Sequence, residues 1–180
     1  MKNRPALFVA VLAITAAMVF AGPGTAGQGG AQSPSLEKAV VDSLLSLPYY
    51  GIFDNLAFEM DGTNVTLTGQ VILPITKSEA AKRVAKISGI GKITNKIEVL
   101  PLSASDDAIR MTAYRKLFDT SDLYRYAMGA VPTIHIIVKG GHVTLEGMVS
   151  TPEDSQLANM LAKQLPGIFS VKNNLKVEKK

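Results

Sequence analysis

The sequence predicts an α+β protein of two tandem α-β-β-α-β modules, each a three-stranded sheet with two helices packed on one face. Three observations carry this. Val65-Thr66-Leu67-Thr68-Gly69-Gln70-Val71 returns 78 residues later as Val143-Thr144-Leu145-Glu146-Gly147-Met148-Val149. Laid without a gap over residues 140–177, residues 62–99 match at 12 of 38 positions, where ordinary residue frequencies give about two or three. Within each copy the apolar spacing passes from helical to alternating and back again. A repeat of fixed period sets the architecture before any single element does.

Residues 1–21 read as a signal peptide: Lys2 and Arg4 supply the positive start, and Ala6 to Phe20 is an uncharged apolar run. The run is short for a span, which needs about 20 apolar residues, so cleavage near Ala21 or Ala26 is expected over an uncleaved anchor. An exported, periplasmic bacterial protein follows. Residues 22–34, rich in Gly, Ala, Gln, Ser and Pro, form a flexible tether. The chain has no cysteine, which excludes disulfides and thiolate metal sites. Without Lys2 and Arg4, 17 basic and 15 acidic residues remain. A net charge near +2 gives no footing for nucleic acid.

The first module spans residues 35–100. Leu36, Ala39, Val40, Leu44 and Leu47 recur at helical spacing, with Ser33 or Ser35 to cap the start and Pro48 to end the helix. Tyr49 to Phe53 is an aromatic loop. Leu56, Phe58 and Met60 then alternate with Ala57, Glu59 and Asp61, Gly62-Thr63 turns the chain, and Val65 and Leu67 return to the inner face. Such a hairpin buries one side and wets the other. Gly69 falls on the inward register, where a helix or bend is expected to come close. Pro74 and Thr76 announce a helix over 77–88, with Ala80, Val84 and Ile87 inward and Gly89 at its end. Ile93, Asn95, Ile97 and Val99 share one parity of a third strand.

Residues 101–105 are the linker, and 106–178 the second module. Asp106-Asp107 opens a helix carrying Ile109, Thr112, Ala113 and Leu117, acids being favoured at a helix start. Relative to the first copy, five extra residues lie within Phe118 to Pro132, which contains Tyr124, Tyr126 and Met128. Ile134, Ile136 and Val138 face inward, Gly140-Gly141 turns, Val143 and Leu145 return, and Gly147 repeats Gly69. Thr151-Pro152-Glu153-Asp154 starts the last helix, whose stripe is Ala158, Leu161, Ala162 and Leu165. Gly167 ends it, and Val171, Asn173, Leu175 and Val177 form the last strand.

Chemistry is sparse. The two histidines, His135 and His142, fall on the outer face of the second hairpin, His135 opposite Glu146 and His142 opposite Lys139. They stand about 13 Å apart along the strand, too far to share an ion, so an ordinary cross-strand pair on a wet face is expected. There is no nucleophile elbow and no phosphate loop. No metal, cofactor or small-molecule substrate is expected.

The hairpin V-T-L-x-G-x-V, the Ala-bearing helix ending in Gly-Ile, and x-V-x-N-x-L-x-V resemble the BON domain, a family named for bacterial osmotically induced periplasmic and nodulation proteins. The resemblance rests on Gly69, Gly89 and Asn95 and their partners Gly147, Gly167 and Asn173, and covers nearly all of residues 36–178 in two copies. It implies a non-enzymatic envelope domain that binds phospholipid or supports envelope integrity and osmotic stress tolerance. Gly51-Ile52-Phe53-Asp54 and the Tyr-rich insertion depart from a typical copy and are candidates for specific function.

Two functions follow. In the first, Tyr49, Tyr50 and Phe53, with Tyr124 and Tyr126, insert at a membrane interface while Lys82, Arg83 and Lys86 meet anionic headgroups. The competing expectation has Tyr49 and Phe53 packing over the end of their own core. In the second, the exposed sheet face of a module, with Ile137, Thr144, His135 and Lys139, contacts an envelope protein.

Overall fold

The computed structural model describes residues 34–119, 122–129 and 131–178. The signal peptide, nearly all of the tether and the Ser33 cap lie outside the described residues. In the first module α1 (Pro34–Leu45) precedes the hairpin β1 (Asn55–Asp61) and β2 (Asn64–Val71), then α2 (Pro74–Val84) and the short strands β3 (Ile93–Asn95) and β4 (Glu98–Val99). The second repeats this order as α3 (Ala104–Phe118), β5 (Ile134–Lys139), β6 (His142–Val149), α4 (Pro152–Lys163), β7 (Ser170–Asn173) and β8 (Lys176–Val177). A 3-10 turn, Asp122–Tyr126, lies in the insertion.

Alternation sets each hairpin's register. Met60 stands opposite Val65, Phe58 opposite Leu67 and Leu56 opposite Gly69; Val138, Ile136 and Ile134 stand opposite Val143, Leu145 and Gly147. The second strand is central, antiparallel to the first and parallel to the third. The third strand keeps one register but is broken in both copies, into β3 and β4 and into β7 and β8. An asparagine makes each break. Asn95 Oδ1 accepts the Ile97 amide at 3.1 Å while its Nδ2 donates to the Lys77 carbonyl at 2.9 Å. Asn173 does the same with Leu175 and Ser155. The side chain thus ties the strand to the helix beside it.

Each module has its own core. Val40 and Leu44 of α1 meet Phe58, Leu67, Ala80, Val84 and Ile97; Ala113 and Leu117 of α3 meet Ile136, Leu145, Ala158 and Ala162. α2 starts three residues earlier than expected, because Pro74 occupies its first turn, and ends at Val84 rather than Ser88. Beyond Ala85 the chain tightens into i→i−3 bonds, Lys86 to Arg83 and Ile87 to Val84. Gly89 and Gly167, both at positive φ, therefore shape the turns after their helices rather than ending them. α3 begins at Ala104, inside the expected linker, because Ser103 Oγ accepts the Asp106 amide at 3.2 Å. The buried Asp106 carboxylate instead grips the hairpin turn, accepting the Gly140 and Gly141 amides at 2.8 Å each.

The close neighbour of Gly69 is its own paired strand, not a helix. A Cβ there would stand 2.0 Å from the Asn55 carbonyl oxygen, and one at Gly147 2.0 Å from that of Thr133. Both glycines have φ near +113°. The Tyr-rich insertion is held from inside. Leu123 and Tyr126 join the second core, and the Tyr126 hydroxyl donates to Asp154 Oδ2 at 2.7 Å and accepts the Ser150 amide at 2.8 Å. Asp154 also accepts from Thr151 Oγ1 and Arg125.

Gly147→Ala is expected to lower stability by about 3 kcal/mol or more, since backbone strain adds to a steric overlap that cannot relax. Gly140→Ala, at φ +57° with nothing within 4 Å of the new methyl, should cost only about 1 kcal/mol; urea unfolding compares them. Tyr126→Phe leaves the Ser150 amide and the buried Asp154 carboxylate each short of a partner and should cost about 1–3 kcal/mol in the same assay.

Candidate functional site

The residues expected at a membrane interface divide into two groups. Tyr49 is 56% exposed, Lys82 is exposed on the last turn of α2, and Lys86 is exposed in the tightened turn that follows it. Lys82 makes only a surface ion pair to Glu79, at 2.9 Å. Arg83 is half-buried and points back to the end of α1, donating to the Ser46 carbonyl at 3.2 Å and to Ser46 Oγ at 3.1 Å. That staple brings the basic last turn of α2 against the segment that carries Tyr49. On the insertion, Tyr124 is 54% exposed and Met128 is also exposed.

Tyr50, Phe53 and Tyr126 are not available to a lipid surface. Tyr126 is 6% exposed and committed to Asp154 and Ser150. Tyr50 is 8% exposed, stacked on His135 with ring centroids 5.3 Å apart. Phe53 packs on the second module's core, edge-on to Tyr114 at 6.4 Å. The expectation that Tyr49 and Phe53 cover the end of their own core fails for both: Tyr49 faces solvent, and Phe53 covers the neighbour.

Tyr50 is buried and Phe53 half-buried because the loop Tyr50–Asp54 docks on the outer edge of β5. The Ile136 amide donates to the Ile52 carbonyl at 2.8 Å, so the loop meets a hydrogen-bonding group that the hairpin leaves open. Two residues further along the same edge, Arg110 Nη2 donates to Val138 O at 2.6 Å. Ile52 joins Phe53 against the second core, while Val131 packs against the first.

His135 sits at the centre of this junction. Its register opposite Glu146 is as expected, but the wet-face pair is not. The ring is 6% exposed, and Glu146 accepts from Asn174 at 2.6 Å instead. The Gly51 carbonyl lies 3.2 Å from Nδ1 and the Tyr50 hydroxyl 3.4 Å from Nε2. A carbonyl only accepts, so Nδ1 carries the proton and Nε2 accepts from tyrosine. Burial holds the imidazole down to about pKa 4, although the Gly51 carbonyl opposes it. Burial also raises the Tyr50 phenol and the Asp54 carboxyl. Asp54 shapes the loop, accepting the Gly51 amide at 3.0 Å and the Ile72 amide at 2.8 Å. No periodic signal marks Asp54 or Arg110; only the departure of Gly51–Asp54 from the repeat hints at them.

Beside the junction a cleft of about 300 Å³ separates Gln70 and Glu98 of the first module from Lys139, Thr144 and Lys172 of the second. Lys139 Nζ bridges it to Glu98 Oε1 at 2.6 Å. His142 Nδ1 lies 2.8 Å from Ser170 Oγ. Ile137, on the face expected to be open, is buried. Among the described residues no three His, Asp or Glu side chains converge to hold a metal ion.

The family model for the BON domain matches residues 47–101 and again 105–179. No curated protein matches the chain. Among solved structures, the C-terminal domain of CdsD, a structural protein of the type III secretion system of Chlamydia trachomatis, is 13% identical. That alignment covers 82% of this chain and 99% of the other, with a TM-score of 0.29. A second CdsD structure is 14% identical over 80% of this chain and 92% of its own, with the same score. Likeness at that level carries no argument. The two domain matches, one on each copy of the repeat, account for most of the chain, which belongs to the BON-domain family as a tandem pair.

Proposed function

We propose that this tandem BON protein is exported to the bacterial periplasm and binds the surface of anionic phospholipid membranes without catalysing a reaction, supporting envelope integrity under stress. The family points to a membrane-associated, generally non-catalytic envelope domain. The observation that supports the reading is the Arg83–Ser46 staple, which ties the end of α2, with Lys82 and Lys86 exposed beside Arg83, to the end of α1, three residues before exposed Tyr49. A tyrosine ring lodges at headgroup depth, with its body apolar and its hydroxyl wet. Each lysine near an anionic surface contributes about 1 kcal/mol, so two give about 30-fold in partitioning. Binding of this kind is reversible and weakens with salt. Tyr124 and Met128, each exposed on the insertion, extend the same reading to it.

Contact through an open sheet face has less support. The outer face of the second sheet is partly roofed by the first module, with His135 and Ile137 buried. On the first sheet the same face presents Glu59, Thr66 and Thr68 rather than apolar side chains.

Co-sedimentation of the chain from Gly22 onward with vesicles containing about one-third anionic lipid tests the proposal. Binding is expected at low salt, with loss near 0.5 M salt. The double variant Lys82→Ala with Lys86→Ala should bind about 30-fold more weakly, and Tyr49→Ala should weaken binding further at unchanged salt sensitivity. Tyr126→Phe should bind like the parent, because its ring never reaches the surface. Absence of parent binding at low salt would overturn the reading.

A further inference from the structure

We infer that the junction between the two modules is an acid-sensitive latch: protonation of His135 releases the Tyr50–Asp54 loop from β5 and separates the modules while each keeps its own core. This is independent of membrane binding. The geometry carries it. The His135 ring is enclosed at the seam between modules, stacked on Tyr50, with a carbonyl acceptor on one nitrogen and a hydroxyl donor on the other. Protonation turns Nε2 into a donor, so the Tyr50 hydroxyl must turn to accept from it, and the seam gains a buried cation. None of the ion pairs among the described residues includes His135.

The charged and titratable groups around the ring do not rescue the cation. From the docked loop come the Tyr50 phenol and the Asp54 carboxylate, and Asp54 already accepts two amides. From β6, opposite in register, comes Glu146, which is taken by Asn174. From α3 comes Arg110, a second cation, which lowers the Asp54 carboxyl and pairs with Asp107. The segment before β5 contributes Val131 and Pro132, neither of which titrates.

The modules can part without unfolding. Their cores are separate clusters joined at the seam by Ile52, Phe53 and Val131, and the connection between them is the exposed stretch around Pro101 and Leu102. The direction follows from linkage. His135 titrates near 6.5 when open and near 4 when closed, so the open state binds the proton more readily, and closure weakens as pH falls below 6.5. Between about pH 7.5 and pH 5 the closed-to-open ratio should drop about 30-fold. Asp54 acts the other way. Its carboxyl is raised in the closed state, so acid favours closure through it and opposes the histidine; His135→Gln, which keeps Asp54, separates the two.

The test is small-angle scattering of the chain from Gly22 onward at pH 7.5 and pH 5, with circular dichroism to follow the folded modules. The parent is expected to expand at pH 5 with its secondary structure intact, and His135→Gln, which cannot take a proton there, to keep one radius at both pH values. A parent that stays compact at pH 5, or a variant that expands with the parent's pH dependence, overturns the latch. Should His135→Gln prove open at both pH values, the parent's imidazole resonances decide. The chain has only 2 histidines, and His142→Gln assigns them. Protonation of His135 in step with expansion supports the latch; a ring that titrates without expansion overturns it.

Discussion

The open edge of β5 is the constraint on which the rest of the arrangement depends. A hairpin satisfies the inward-facing amides and carbonyls of its first strand and leaves the alternate ones bare, and bare edge groups must find water or a partner. Here the Ile136 amide finds the Ile52 carbonyl and the Val138 carbonyl finds Arg110. Once the loop is committed to that edge, Tyr50 lies flat on His135 and Phe53 and Ile52 reach the second core. The enclosure of His135, the raised Asp54 carboxyl and the loss of Tyr50 and Phe53 from the solvent-facing surface all follow from one backbone contact.

The repeat also explains how the modules meet. Phe53 and Val131 stand 78 residues apart, the offset of the repeat, and each packs against the core of the other module. The same position of the motif is thus exchanged in both directions, in the manner of a closed two-fold contact between like subunits. On the second module's side the contact takes up the open edge of β5. Tyr49, next to Tyr50 in the chain, and Lys82 on α2 stay exposed.

The seam is more polar than either core. Arg110 is buried, donating to the Val138 carbonyl and paired with an exposed Asp107, and its Nε has no hydrogen-bond partner among the described residues. Burying a guanidinium costs stability, and apolar residues would join the modules more tightly. A seam of histidine, aspartate and arginine holds less firmly and responds to conditions. That places the labile part of the molecule between the modules, while the Gly69 and Gly147 close approaches and the Asn95 and Asn173 ties sit inside them.

Within each module the sequence is legible because local rules and burial agree. Alternation gave the hairpins and their registers, the inward glycines marked a close approach without telling that the paired strand rather than a helix makes it, and the repeat identified Asn95 and Asn173 as equivalent. Helix ends were read less well: a glycine past a helix looks the same whether it caps the last turn or shapes the next one, and Ser103 has no periodic mark. The candidate surface was half legible. Tyr49, Lys82 and Lys86 are exposed as their polarity and loop position implied, whereas Tyr50, Phe53, Tyr126 and His135 are not. Periodicity reports which side chains a segment hides from water within its own module. It carries nothing about a loop whose burial is created by a neighbour's strand edge. The sequence by itself therefore determined the two modules, their family and their strand pairing, and only the tertiary structure decided which faces meet and which aromatics remain outside.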